Sequence, residues 1–264
     1  REYRTLKNEG QFADWLSFEA LMTSDLPVEW EKDPVLAPNV RAYWDYLGGC
    51  YWLWDARMMR EMAGAIGKDP TKYAAIEEQA LAYVRKNFLP DGDLLPFMRT
   101  MQTPQLFAQK LGLFEDAAKR RVCRDRLLKN FTDNGNRLKT GFLGTSILLD
   151  TLTYEMDAPE MAYSLLLQHD FPSWLYSVDQ GATTIWERWN SYTKERGFGP
   201  VGMNSFNHYA YGVVVDWIVG TAAGIRPDPA HPGKYVVRPI KDKRLKWLKA
   251  KFRTPSGEVI SSEW

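Results

Sequence analysis

The sequence predicts a mainly α protein in which antiparallel helix pairs close into a toroid, followed by the start of a β-domain. Apolar residues recur at helical spacing in a succession of segments joined by short loops, which is typical of an array of helical hairpins. No repeat of fixed period is present, and this favours a toroid over a regular solenoid. After Gly224 the chain becomes rich in Pro and Gly and then alternates apolar and polar residues.

The helical part begins with a predicted hairpin. Apolar positions at helical spacing predict a helix over Asn39–Ile66 and a second over Lys72–Phe88, separated by the break GKDPT. The last predicted helix ends with Gly224 as its C-cap, and Pro227 follows just beyond. Further helices are predicted over Pro104–Leu111, Glu115–Phe131, Thr145–Glu155, Pro159–Gln168 and Ser205–Ala223.

The segment beyond Gly224 predicts strands over Tyr235–Ile240, Leu245–Phe252 and Glu258–Trp264, with Pro-Ser-Gly as a turn. We therefore divide the chain into a helical domain, residues 1–224, and the beginning of a β-domain, residues 225–264. Three strands are too few to close a sandwich or barrel, so we expect the β-domain to be cut short.

Composition restricts the class of partner. The 34 basic and 33 acidic residues give a net charge of +1, and no Lys/Arg-rich run stands on a predicted helix face, so we expect neither nucleic acid nor a membrane as partner. Cys50 and Cys123 lie in apolar helical patterns and are predicted to be buried free thiols. No metal-ligand spacing is present, and we predict no cofactor.

The candidate site lies between Phe171 and Tyr211, where Glu187 stands between Trp186 and Trp189. Indole faces stack on the apolar face of a pyranose, and polar side chains of the same segment can bind its hydroxyl groups. The pattern therefore indicates a sugar site.

Structural alternatives remain for these residues. Thr184 and Glu187 have the spacing of a capping box, in which Glu187 would only bond the start of a helix. Trp186 and Trp189 would share a helical face, so that one can be core and the other contact sugar. His208 has the setting of a structural histidine, and Asp14 and Asp179 are either N-caps or hydroxyl ligands.

Four strings, PSWLYSVDQGATTIWERW, MNSFNHYAYG, GFLGTSILL and GIRPDP, resemble the bacterial α-L-rhamnosidases of glycoside hydrolase family 78. The string FADWL, Phe12–Leu16, is similar to a family motif that has Gly where this chain has Ala13. The resemblance implies a six-hairpin (α/α)6 toroid followed by a β-sandwich, and hydrolysis of terminal α-L-rhamnose with inversion from an oligosaccharide or glycoside. It also implies that Glu187 is the general base, that His208 belongs to the active site, and that Trp15, beside Asp14, lines the rhamnose pocket.

One motif of the family is missing. Its general acid precedes a G-W-x-G-D-A string, and this string does not occur in the sequence. Fewer helices are predicted than the twelve of the family's toroid, so we expect the chain to start inside the toroid. Two alternatives stay open: a non-catalytic carbohydrate-binding relative that has lost the acid, and a helical-toroid glycosidase for another sugar. The compartment, bacterial periplasm or cytoplasm, is also open.

Overall fold

The computed structural model describes residues 14–19, 29–199 and 201–264. The chain forms two compact units, Arg1–Thr151 and Leu152–Trp264. Helices occur in both, and every strand pair of the described residues lies in the second. The helices of the first unit are α1 Leu36–Ala65, α2 Thr71–Phe88, α3 Gln102–Lys110, α4 Ala117–Asp133 and α5 Phe142–Asp150.

The predicted first hairpin is confirmed, because α1 and α2 pack against each other. A side-chain carbon at Gly49 of α1 would lie 2.9 Å from Cγ2 of Val84 in α2, so the glycine permits the close approach. Helix α1 begins three residues earlier than predicted. The carboxylate of Asp33 accepts the N–H groups of Val35 and Leu36, each at 2.8 Å, and so caps the extra turn.

Helices of the second unit depart more from the prediction. The predicted helix at Ser205–Ala223 begins only at Ala210 and contains regular α-helix over four residues alone. A short helix with Ser173 as its N-cap was not predicted. These helices are α6 Pro159–Leu166, α7 Trp174–Asp179 and α8 Val214–Trp217, the last flanked by the 3₁₀ turn Ala210–Val213 and the π turn Ile218–Ala222.

The strands form antiparallel pairs. The predicted turn is confirmed, because Gly257 N–H donates to the Thr254 carbonyl at 2.9 Å. The predicted strand Leu245–Phe252 begins only at Lys249. The structure also contains short strands before Tyr235 that the sequence did not predict. The pairs are β1 Tyr192–Thr193 with β2 Gly197–Phe198, β3 Ile225–Pro227 with β4 Tyr235–Val237, and β5 Lys249–Arg253 with β6 Val259–Glu263.

Within the second unit, hydrogen bonds join the segments on either side of Gly224. The Tyr163 hydroxyl of α6 donates to the Ile240 carbonyl at 2.6 Å, and Trp264 Nε1 donates to the Ala222 carbonyl at 2.9 Å. Gly224 has φ +75° and ends the helical run, as predicted for a C-cap. The domain boundary after Gly224 stays a prediction.

Candidate active site

Two irregular segments, residues 184–187 and 205–208, are hydrogen-bonded to each other and bring Glu187 near His208 in the fold. Glu187 N–H donates to the Ser205 carbonyl at 2.9 Å, and His208 N–H donates to the Ile185 carbonyl at 2.9 Å. The Thr184 hydroxyl donates to the Phe206 carbonyl on the same pair of segments. The backbone therefore holds the predicted base and the predicted histidine in one small unit of structure.

The Glu187 side chain is half-buried and anchored through one oxygen. Its Oε2 accepts the N–H of Ser205 at 2.7 Å. No donor among the described residues reaches Oε1, and no cation pairs with the carboxylate there. One oxygen thus fixes the carboxylate, and the other can accept a proton from a bound molecule.

The capping-box alternative for Glu187 is wrong. Residues 184–189 are not helical, and the side chain bonds Ser205, eighteen positions along the chain, instead of the backbone of Thr184. A capping box needs a helix that starts at the Thr, and the pairing with the segment around Ser205 replaces that helix.

His208 lies just before the helical turn that starts at Ala210, and its ring is half-buried. Its Nδ1 accepts the N–H of Ala210 at 3.3 Å, which assigns the proton of the neutral imidazole to Nε2. The ring is nearly parallel to that of Tyr209, with centroids 5.4 Å apart. The bond from Ala210 therefore helps to fix the orientation of the ring.

Trp186 and Trp189 lie in an aromatic cluster below the surface and are 8% and 3% exposed. Trp189 stacks on Tyr211 with centroids 3.9 Å apart, and Trp186 meets Phe206 edge to face at 5.3 Å. The expected shared helical face is wrong because the segment is not helical. Burial assigns both indoles to packing, so they support the Glu187 segment and offer little face to a sugar.

Asp14 and Trp15, in the first unit, stand in a tight turn. Ser17 N–H donates to the Asp14 carbonyl at 3.1 Å, and Leu16 has φ +62°. Asp14 is fully buried, whereas Trp15 keeps part of its side chain exposed. The Trp15 carbonyl accepts the N–H of Phe142 at 2.9 Å.

The Asp14 carboxylate caps helix α5 from outside that helix. It accepts N–H groups from Gly141 at 2.8 Å, Leu143 at 2.7 Å and Gly144 at 3.0 Å, and the Thr103 hydroxyl at 2.5 Å. Burial raises the pKa of Asp14, and these four bonds oppose that effect. The geometry favours the capping alternative over direct contact with a sugar.

Asp179 is not an N-cap. It is the last residue of α7, and its carboxylate pairs with His169 Nδ1 at 2.7 Å on the surface. The N-cap of that helix is Ser173, whose hydroxyl accepts the N–H of Tyr176 at 3.1 Å.

Glu19 has a role that the sequence pattern does not reveal. Its carboxylate accepts the N–H groups of Gln102 and of Thr103, and so caps α3 as Asp14 caps α5. Burial raises the pKa of Glu19 to about 8, the two backbone bonds oppose the rise, and the neighbouring charge of Asp14 adds to it. A cap supplied from a distant segment leaves no local motif by which to find it.

This raised pKa predicts a pH-dependent stability. At pH values between about 4.5 and 8 the folded protein keeps a proton on Glu19 that the unfolded chain releases, so its stability falls as pH rises, by at most about 1.4 kcal/mol per pH unit. Glu19→Gln removes this titration. We expect the melting temperature of the variant, relative to the parent, to rise from pH 5 to pH 8. Glu195→Gln, an exposed site, is the control, and a constant difference across this range would contradict the assignment.

The described residues contain no group of three or more His, Cys, Asp or Glu side chains placed to hold a metal ion. Cys50 and Cys123 are buried and free, as predicted. Over the same described part of the chain, no helix is both long and apolar enough to cross a bilayer.

Known proteins match most of the chain. An alpha-L-rhamnosidase of Formosa agariphila is 36% identical over 218 residues, which cover 82% of this chain and 23% of the relative. An alpha-L-rhamnosidase of Alteromonas sp. is 34% identical over 204 residues, covering 76% of this chain and 22% of the relative. The chain thus spans less than a quarter of the length of these relatives.

Solved structures of rhamnosidases also match this chain. The Streptomyces avermitilis alpha-L-rhamnosidase complexed with L-rhamnose superposes with a TM-score of 0.81 at 29% identity, over 100% of this chain and 24% of that one. The native rhamnosidase of Aspergillus terreus gives 0.76 at 27% identity, over 96% of this chain and 28% of that one.

The mainly helical fold and these matches define a six-hairpin glycosidase domain, which confirms the predicted fold class. Residues 3–222 match the bacterial alpha-L-rhamnosidase 6 hairpin glycosidase domain, and the chain belongs to that family.

Proposed function

We propose that this chain is part of an inverting glycoside hydrolase that releases terminal α-L-rhamnose from an oligosaccharide or glycoside, with Glu187 as general base. One observation carries the proposal: Oε2 of Glu187 is fixed by Ser205, while Oε1 receives no donor from the described residues. Family membership supports the reaction class, since the relatives are named alpha-L-rhamnosidases.

In this reaction Glu187 takes a proton from a water molecule as the water attacks the anomeric carbon. A general base must hold that water at a fixed angle, and the bond to Ser205 provides the rigidity. A carboxylic acid on the opposite side protonates the leaving oxygen, and in inverting enzymes the two carboxyl groups stand about 6.5–9.5 Å apart to admit the water. No string of this sequence assigns a residue to the acid role.

We assign the direct sugar contacts to His208 and Trp15. The family resemblance implies both contacts: an imidazole N–H can donate to a sugar hydroxyl, and a partly exposed indole can stack on the apolar side of the ring. Trp186 and Trp189 pack behind the Glu187 segment, and Asp14 caps α5.

His208→Ala is expected to weaken L-rhamnose binding by about 2- to 10-fold, the range for one lost hydrogen bond, without unfolding the protein. Titration calorimetry with L-rhamnose measures the change. The control is His231→Ala, since the His231 side chain is exposed and bonds only Asp228 among the described residues. Equal affinity in parent and His208→Ala protein would remove His208 from the site.

Hydrolysis of a chromogenic aryl α-L-rhamnoside by the complete gene product tests the function itself. Release of the chromophore from the α-L-rhamnoside, and not from aryl glycosides of other sugars, is the expected result. Tight binding of L-rhamnose without hydrolysis would instead establish the non-catalytic relative, and hydrolysis of another glycoside alone would establish a different glycosidase.

A further inference from the structure

The turn that carries Trp15 is fastened on both sides by carboxylates. Asp14 precedes the indole and bonds the start of α5, and Glu19 follows it and bonds the start of α3. Asp14, Leu16 and Ser17 are buried, whereas Trp15 remains partly exposed. Phe18 of the same segment is 39% exposed, so the fastened turn presents two large side chains, those of Trp15 and Phe18.

We propose that Asp14 and Glu19 are positioning residues that fix Trp15 for contact with the sugar, and that Asp14 does not bind the sugar itself. The inference rests on the proposed function, in which Trp15 contacts rhamnose. A carboxylate has about four acceptor positions, and Asp14 already receives four hydrogen bonds, two at each oxygen. No acceptor position of Asp14 is left for a ligand.

Two glycines at the start of α5 allow the turn that carries Trp15 to pack closely against this helix. A side-chain carbon on Gly141 would collide with the backbone oxygens of Asp14 and Trp15. One on Gly144 would collide with the Thr103 hydroxyl and lie 2.9 Å from Oδ2 of Asp14. Both glycines belong to the string GFLGTSILL, so the beginning of this string is the surface on which the Trp15 turn packs.

The turn depends on its anchors because its own conformation is unfavourable. Leu16 has φ +62°, a region that bulky residues rarely adopt, and its side chain is buried. Such a conformation persists only where the surrounding contacts impose it. Loss of the Asp14 bonds should let the turn relax and move the indole of Trp15.

Asp14→Asn tests this dependence with little change in volume. The amide nitrogen of asparagine cannot accept a hydrogen bond. At one of the two oxygen positions of Asp14, the amide NH₂ would therefore face backbone N–H groups, which are also donors. In the complete gene product we expect kcat/KM for an aryl α-L-rhamnoside to fall by up to about 10-fold, the value of one aromatic contact. The loss should lie in KM and in the Kd of L-rhamnose, with kcat little changed, because stacking acts on ground state and transition state alike.

A double-mutant cycle with Trp15→Ala separates positioning from general destabilisation. If Asp14 acts through Trp15, Asp14→Asn should change the Kd of L-rhamnose by less than about 2-fold in the Trp15→Ala background. The control is Asp116→Asn, which alters the N-cap of α4 by the same substitution and should leave the Kd unchanged. Thr103→Val, which removes only the hydroxyl bond to Asp14, replaces Asp14→Asn if that variant does not fold.

Each result decides the inference. Equal losses of affinity from Asp14→Asn, or from its replacement, in both backgrounds would overturn positioning and leave the sugar contact of Trp15 intact. An unchanged Kd in a folded Asp14→Asn protein would also overturn it. A Trp15→Ala protein with parental Kd would refute the sugar contact and the positioning role together, while the Glu187 chemistry would stand on its own assay.

Discussion

Replacement of Glu187 by glutamine is expected to lower turnover of an α-L-rhamnoside by about 10²–10⁴-fold, the usual contribution of a general base. Glutamine has nearly the same shape and keeps an oxygen that accepts the Ser205 N–H, so the segment should remain in place. The neutral amide of glutamine, however, cannot take a proton from water. Steady-state rates of the complete gene product measure the effect, and the Kd of L-rhamnose should change little.

Glu195→Gln is the matched control for this variant. Glu195 is exposed in the turn between β1 and β2, and the same substitution there should leave turnover unchanged. A Glu187→Gln protein with a near-parental rate would refute the base assignment. A protein that loses rate only because it unfolds would be recognised from its melting curve and would show a structural role for the carboxylate.

The second large effect is expected at Trp189, where alanine should lower the free energy of unfolding by about 3–5 kcal/mol. Trp189 is buried, stacks on Tyr211 and meets Trp174 edge to face at 5.5 Å. Truncation would leave a cavity in this aromatic cluster. Denaturant or thermal unfolding measures the loss.

Trp247→Ala is the control, because Trp247 belongs to the same unit and is 66% exposed. It should change stability by no more than about 0.5 kcal/mol, as for most surface substitutions. If Trp189→Ala kept its stability and instead lost affinity for L-rhamnose, Trp189 would be a sugar contact and its assignment to packing would be wrong.

The sequence predicted the long amphipathic helices well because their apolar period is a local property. The hairpin α1–α2 was found almost to the residue, with an error at Leu36 that arises from the side chain of Asp33. The region from Ser205 to Tyr209 was wrongly predicted as helix. There, pairing with residues 184–187 competes with helix formation, and a pattern within one segment does not show such a partner.

For the candidate site, the sequence identified the residues, and only the structure identified the contacts that hold them in place. Glu187, His208 and Trp15 were singled out from their strings, but Ser205 acts through its backbone, which carries no sequence signal. Glu19 caps α3 from 83 positions away, and no local spacing encodes that contact. Burial of Trp186 and Trp189 likewise depends on residues distant in sequence, such as Phe206 and Tyr211.

The most direct test of the central claim, base catalysis by Glu187 with inversion, is the anomeric form of the first product. Proton NMR during rapid hydrolysis of an aryl α-L-rhamnoside by the complete gene product reports it before mutarotation. If a water activated by Glu187 attacks opposite the leaving group, β-L-rhamnose appears first and the α-anomer grows in later. If α-L-rhamnose appears first, the reaction proceeds with retention, and Glu187 is not the base of an inverting mechanism.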